Sequence, residues 1–184
     1  MASNSLKELL TSAPNRREIR ELYTEINTAT DRSMAIVTSI FVDNALKDAI
    51  AARLRKMKPQ ELSLIFEGNG PLATFSNRIR FGFALGIFGP KARNDLDLIR
   101  RIRNAFAHAR RPLSFKTPQI IQLCDSFDLA PILKKQAAVK NEHVTEKARY
   151  VYSVTTMIVY VALEVSKRKD RRHKLKKPLP ALAH

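Results

Sequence analysis

Three residues near the middle of the chain have types and spacing suited to chemistry on a phosphate. They are Arg103, Asn104 and His108, in the run Arg-Asn-Ala-Phe-Ala-His. A guanidinium binds two phosphate oxygens at once, and an imidazole moves a proton near neutral pH. Cleavage of RNA without a metal needs little more: a base for the 2′-OH proton and cations to stabilise the charge on phosphorus. The geometry argues against it. On a helix advancing about 100° per residue, Arg103 lies about 40° from the apolar Ile99, and His108 lies about 180° away. Both reach one phosphate only if the helix end distorts or two subunits meet there. Asn104 and His108, four residues apart, do share a face.

The element that must carry these residues is residues 94–111, NDLDLIRRIRNAFAHARR. Leu96, Ile99, Ile102 and Phe106, with Ala109, recur at spacings of three and four, the pattern of an amphipathic helix with one face in a core. Asn94 or Asp95 can cap its start, and Pro112 stops it. Arg100, Arg101, Asn104, His108 and Arg111 fan out on the opposite face, which suits something anionic or polar.

The 184 residues fit one domain with a real core. Thirty-three Lys and Arg against 17 Asp and Glu give a formal charge of +16, which points to a polyanionic partner, nucleic acid first. Much of the surplus lies in residues 167–177, where Lys167, Arg168, Lys169, Arg171, Arg172, Lys174, Lys176 and Lys177 stand against one Asp. Such a cluster sets affinity and not sequence preference. The single cysteine, Cys124, excludes a disulfide framework and a Cys-rich zinc site. Set among Ile120, Ile121, Leu123 and Phe127, it reads as a buried structural thiol in a reducing, cytoplasmic setting. The four histidines have no metal-ligand spacing, and no cofactor is expected. The longest uncharged run, residues 150–163, is too short and polar to span a bilayer.

In chain order, residues 1–30 form an arm and a short helix, the latter over 16–27. Thr30 or Asp31 caps a long helix over 32–57, in which Asp43 reads as a solvated or hydrogen-bonded helix residue. Pro59 starts a short helix, Gly68-Asn69-Gly70-Pro71 is a clear break, and helix resumes over 72–86. Thr117-Pro118 opens a helix to about Phe127. A short proline-interrupted segment and a polar loop over 134–145 follow. A last long helix, 145–169, is apolar nearly all round between 150 and 163 and so runs through the core or into a second subunit. The expectation is an all-α, single-domain helical bundle over 31–166 with a basic C-terminal tail, 167–184.

R-N-x-x-x-H near the end of a helix in a small all-α protein resembles the signature of the HEPN superfamily. The wider runs GNGPLATFSNRIRFGFALGIF and DLDLIRRIRNAFAHA, with DRSMAIVTSIFVDNAL before them, resemble the mannitol operon repressor family. The resemblance covers roughly residues 31–127. It implies an all-helical, non-enzymatic transcriptional-regulator-like protein acting through protein or nucleic-acid contacts, commonly as a homodimer paired at the motif helix. It also implies that Arg103, Asn104 and His108 are the superfamily's motif residues, with Arg78, Asp95 and Arg100 near them. The superfamily includes metal-independent ribonucleases, so an endoribonuclease using Arg103 and His108 is the alternative. The +16 charge and the basic tail depart from what an ordinary member leads one to expect and leave room for a polyanion-binding role.

Overall fold

The computed structural model describes Thr24 and residues 28–128 and 144–174, with side chains to residue 165 in the last helix. Six helices can be followed among the described residues: α1 (Asp31–Arg53), α2 (Pro59–Phe66), α3 (Phe75–Ala84), α4 (Pro90–His108), α5 (Pro118–Asp125) and α6 (Glu146–Lys174). No strand occurs among the described residues. The fold is all-α, as the periodicities require.

Local chemistry sets the helix starts. The Thr30 hydroxyl accepts the Ser33 N–H at 3.2 Å at the head of α1, and Thr74 accepts the Asn77 N–H at 3.2 Å at the head of α3. Proline occupies the first turn of α2, α4 and α5, where its missing N–H costs nothing. Between α2 and α3 the chain turns at Gly68, whose φ of 56° favours glycine.

The central helix begins earlier than Asn94 and ends earlier than Arg111. Gly89 is the N-cap of α4 and Pro90 its first residue. Asn94 and Asp95 are therefore not caps, and both hold a distant segment. The buried Asp95 carboxylate accepts the Asp128 N–H at 2.7 Å, and the Asn94 amide donates to the Asp128 carboxylate at 2.9 Å. At the other end Ala109 turns to an extended conformation, and Arg32 of α1 donates to its carbonyl at 3.0 Å. A cation at a helix C-terminus is well placed for the orphaned carbonyls. α1 ends at Arg53 rather than 57, and α6 continues past 169 into the first basic residues of the tail. The expected short helix over 16–27 and loop over 134–145 fall almost entirely outside the described residues.

α1 lies at the centre. It packs most broadly on α6 and also on α4 and α3, while α5 packs on α6 and α4. Its buried face (Met34, Val42, Leu46 and Ile50) meets Leu96, Ile99, Ile102 and Phe106 of α4. Gly82 lets α3 approach closely, because a Cβ there would stand 2.8 Å from the Phe88 ring and 3.1 Å from Leu46. An aromatic chain closes the core: Phe106 to Phe115 at 5.1 Å, and Phe115 to Tyr150 at 5.2 Å. Tyr150 is wholly buried and donates its hydroxyl to the Ala35 carbonyl at 2.9 Å, so α6 is tied to α1 by a phenol whose burial pushes its pKa up.

Phe106 is fully buried at the junction of α4 with this aromatic chain. Phe106→Ala should cost about 3–5 kcal/mol in denaturant unfolding. A loss below about 1 kcal/mol would show that the site collapses without a cavity, contrary to the packing described.

Candidate functional site

The sequence-predicted residues do not form one constellation. They divide among a buried ion pair, the outer face of α4 and the last turns of α6.

Arg78, on α3, belongs to the fold. Its Nε donates to the Leu72 carbonyl at 2.8 Å, and one terminal nitrogen donates to the carbonyls of Phe66 at 3.0 Å and Ala73 at 3.2 Å. The other terminal nitrogen pairs with the Asp43 carboxylate of α1 at 2.8 Å. With the Arg78 side chain 9% exposed, the guanidinium fork is spent inside the protein. Asp43 thus reads as a hydrogen-bonded helix residue, as its sequence setting allowed. Burial raises its pKa, against the opposing pull of Arg78 first and of Arg103 and Lys47 after it.

The field of Arg103 therefore reaches Asp43 across the α1–α4 contact. Arg103 is half-buried and donates to the Asn104 side-chain oxygen at 2.9 Å. His108 is exposed in the last turn of α4. Five residues apart on a regular helix, Arg103 and His108 stand about 140° apart around the axis. The contacts found among the described residues do not bring the two together. Arg103 and Asn104 are instead paired beside the core, and His108 faces out with the exposed Arg111 and Arg110.

Arg100 is half-buried and held by Asp97 one turn earlier at 3.3 Å. Arg101 is exposed and makes no ion pair among the described residues. Lys167, Arg168, Lys169, Arg171 and Arg172 all fall on the helical backbone of α6, beyond its described side chains.

Two polar residues matter to the architecture in ways the sequence does not announce: Arg149 goes unread, and Asp95 reads as a cap. Arg149 is buried and bonds Asp125 of α5 at 2.6 Å and the Val144 carbonyl at 3.2 Å. Asp95 is buried at the joint between α4 and residue 128. The available signal was position: Arg149 is in the first turn of an apolar helix, and Asp95 adjoins the core residue Leu96. Cys124 is buried, and burial pushes its thiol up to about 12, so it stays protonated and unreactive. Among the described residues no three His, Cys, Asp or Glu gather as a metal site, and no helix is long and apolar enough to cross a membrane.

No protein-family model matches the chain, and no curated protein sequence does. Its fold does have a solved counterpart. The chain superposes with a TM-score of 0.61 on the X-ray structure of the MtlR–HPr complex from Escherichia coli, covering 78% of this chain and 97% of that one. The fold is MtlR-like. The sequences are 17% identical over this match, so the likeness speaks to fold alone. The mannitol-repressor resemblance carried by the sequence is thereby supported at the level of architecture.

Arg78→Ala should lower stability by about 3–5 kcal/mol at neutral pH, because it leaves Asp43 without its counter-ion. Its pH dependence has a definite sign. Asp43 already titrates above the ordinary carboxylate value of 3.8, and losing Arg78 removes the largest cause holding it down. A raised carboxyl contributes stability at low pH that is lost as pH rises through its folded pKa. The deficit in unfolding free energy should therefore be smaller near pH 4 than at pH 7. A deficit that grows on acidification would contradict this assignment.

Proposed function

We propose that this protein is a non-enzymatic regulatory binding protein of the mannitol operon repressor type, acting in the cytoplasm through contacts with a protein partner. One observation carries the reading: the fold match spans nearly all of an MtlR-complex chain whose structure was solved with HPr bound. Placement within the HEPN superfamily is part of the same reading and rests on the Arg103, Asn104 and His108 motif. Residues 31–166 are the binding domain in this account, with 1–30 as an arm and 167–184 as a basic tail.

The state of the motif favours binding over catalysis. Arg103 bonds its neighbour Asn104 and does not stand beside His108. Nucleic acid enters as a second class of contact, through Arg101, His108 and Arg111 on the exposed end of α4 and through the tail. Homodimerisation belongs to the proposal too. Val159 and Leu163 are each 54% exposed on α6 and Tyr160 is 38% exposed, an apolar surface suited to a second copy.

The partner reading is tested by titrating the purified, nuclease-treated chain with purified HPr and by capturing protein partners from a nuclease-treated lysate at physiological salt. A stoichiometric protein complex is expected. No protein partner in either arm would overturn the reading. With chelator present, wild type and His108→Ala should leave a mixed RNA equally intact. Cleavage by the wild type alone, from identical purifications, would make the protein a metal-independent endoribonuclease.

A further inference from the structure

Outside the motif helix, the structure contains a groove that the function described so far does not use. Leu54 at the end of α1, Ile65 of α2, Leu72 of the following turn, and Phe81 and Ala84 of α3 line a trough of about 570 Å³. Its long side is α3: Asn77, Phe81 and Ala84 fall at spacings of four and three, and together they run for about 10 Å along that helix. Phe81 remains 38% exposed among the described residues, which is costly for a large apolar ring.

The trough's lining carries one charge, and it is positive. Arg80 is the sole charged side chain among its lining residues. It is exposed and makes no ion pair among the described residues. Arg55, Lys56 and Lys58, which follow Leu54 in sequence, are exposed as well, and no carboxylate lines the trough among the described residues. An apolar floor running along a helix, with the cation Arg80 at its rim and no carboxylate among its described lining residues, is complementary to one occupant. That occupant is an amphipathic helix with apolar anchors at i, i+3 or i+4, and i+7, and with carboxylates beside them.

We propose that the α2–α3 groove docks an acidic amphipathic helix of a protein partner. The inference rests on the protein-binding reading above and gives it a surface. Anchors enter between Ile65 and Phe81, while Arg80 meets a carboxylate at the rim and fixes which way the helix lies. Rim charges act chiefly on encounter rate and register, and buried apolar anchors on residence time.

The test uses a fluorescein-labelled synthetic helix of 18 residues with leucines along one face and glutamates elsewhere, titrated against the full chain. The control is a peptide of identical composition whose leucines are scattered around the helix. The aligned peptide should bind at least ten times tighter than the control, although both carry the same charge to a +16 protein. Arg80→Glu should weaken the aligned peptide about fivefold or more, and Phe81→Ser should do the same at higher salt, with both variants melting within a few degrees of the wild type. Equal binding of the two peptides, or undiminished binding by both folded variants, would overturn the proposal. Loss of a wild-type dimer in Phe81→Ser, seen by light scattering, would give the groove to a second copy and overturn it likewise. A partner captured equally by wild type and Arg80→Glu would remove the groove and leave the protein-binding reading standing.

Discussion

The arrangement of this molecule depends on one buried guanidinium. Arg78 reinforces a turn that backbone bonds already close, Leu72 N–H to the Ile65 carbonyl at 2.9 Å among them, by bonding carbonyls on both sides of the Gly68–Pro71 break. A charge so deeply placed is tolerable only with a counter-ion, which Asp43 supplies from the middle of α1. The pair thus bears on three things at once: the α2–α3 turn, the seat of α3 on α1, and the titration of a carboxyl that burial pushes up and Arg78 pulls back down. Lys47 and Arg103 lie within its field, so the motif helix is electrically coupled to the same centre.

α4 makes the rest follow. One face supplies Leu96, Ile99, Ile102 and Phe106 to the core, and the other carries cations outward. Its N-terminal half is pinned through Asn94 and Asp95 to residue 128, and its C-terminal end through Ala109 to Arg32. A helix fastened at both ends and packed on α1 has little freedom to distort. Within one chain, Arg103 and His108 accordingly stay about 140° apart around the helix axis. The groove beside α3 and the apolar surface of α6 lie on elements that the same core holds in place.

Much of this was legible in the sequence because its causes are local. Thr30, Pro59 and Pro118 announce helix starts through capping and missing N–H groups, and the apolar spacing of α4 identified the face that enters the core; α6, apolar nearly all round, announced a helix but not its buried face, which runs through Tyr150, Val154, Met157 and Val161. What was not legible depended on distant partners. Asn94 and Asp95 have cap chemistry, yet Gly89-Pro90 opens the helix first and both side chains serve residue 128 instead. Arg78 read as one more cation, because its carbonyl partners and Asp43 converge only after folding. The helix also persists to Lys174 within the basic run. Extending a helix already formed needs no new nucleus, and Lys and Arg are good helix formers. The segments over 1–23 and 129–143 lie outside the described residues, as does the end of the tail.

We propose that this fold works by holding a protein partner on a preformed surface. The most direct measurement is amide hydrogen exchange on the full chain, alone and saturated with its captured partner after nuclease treatment. The account predicts new protection confined to surface helix turns, with the exchange of α1 and the buried half of α4 unchanged. Protection that appears only when nuclease is omitted, confined to the exposed end of α4 and the basic segment, would contradict it and make nucleic acid the primary ligand.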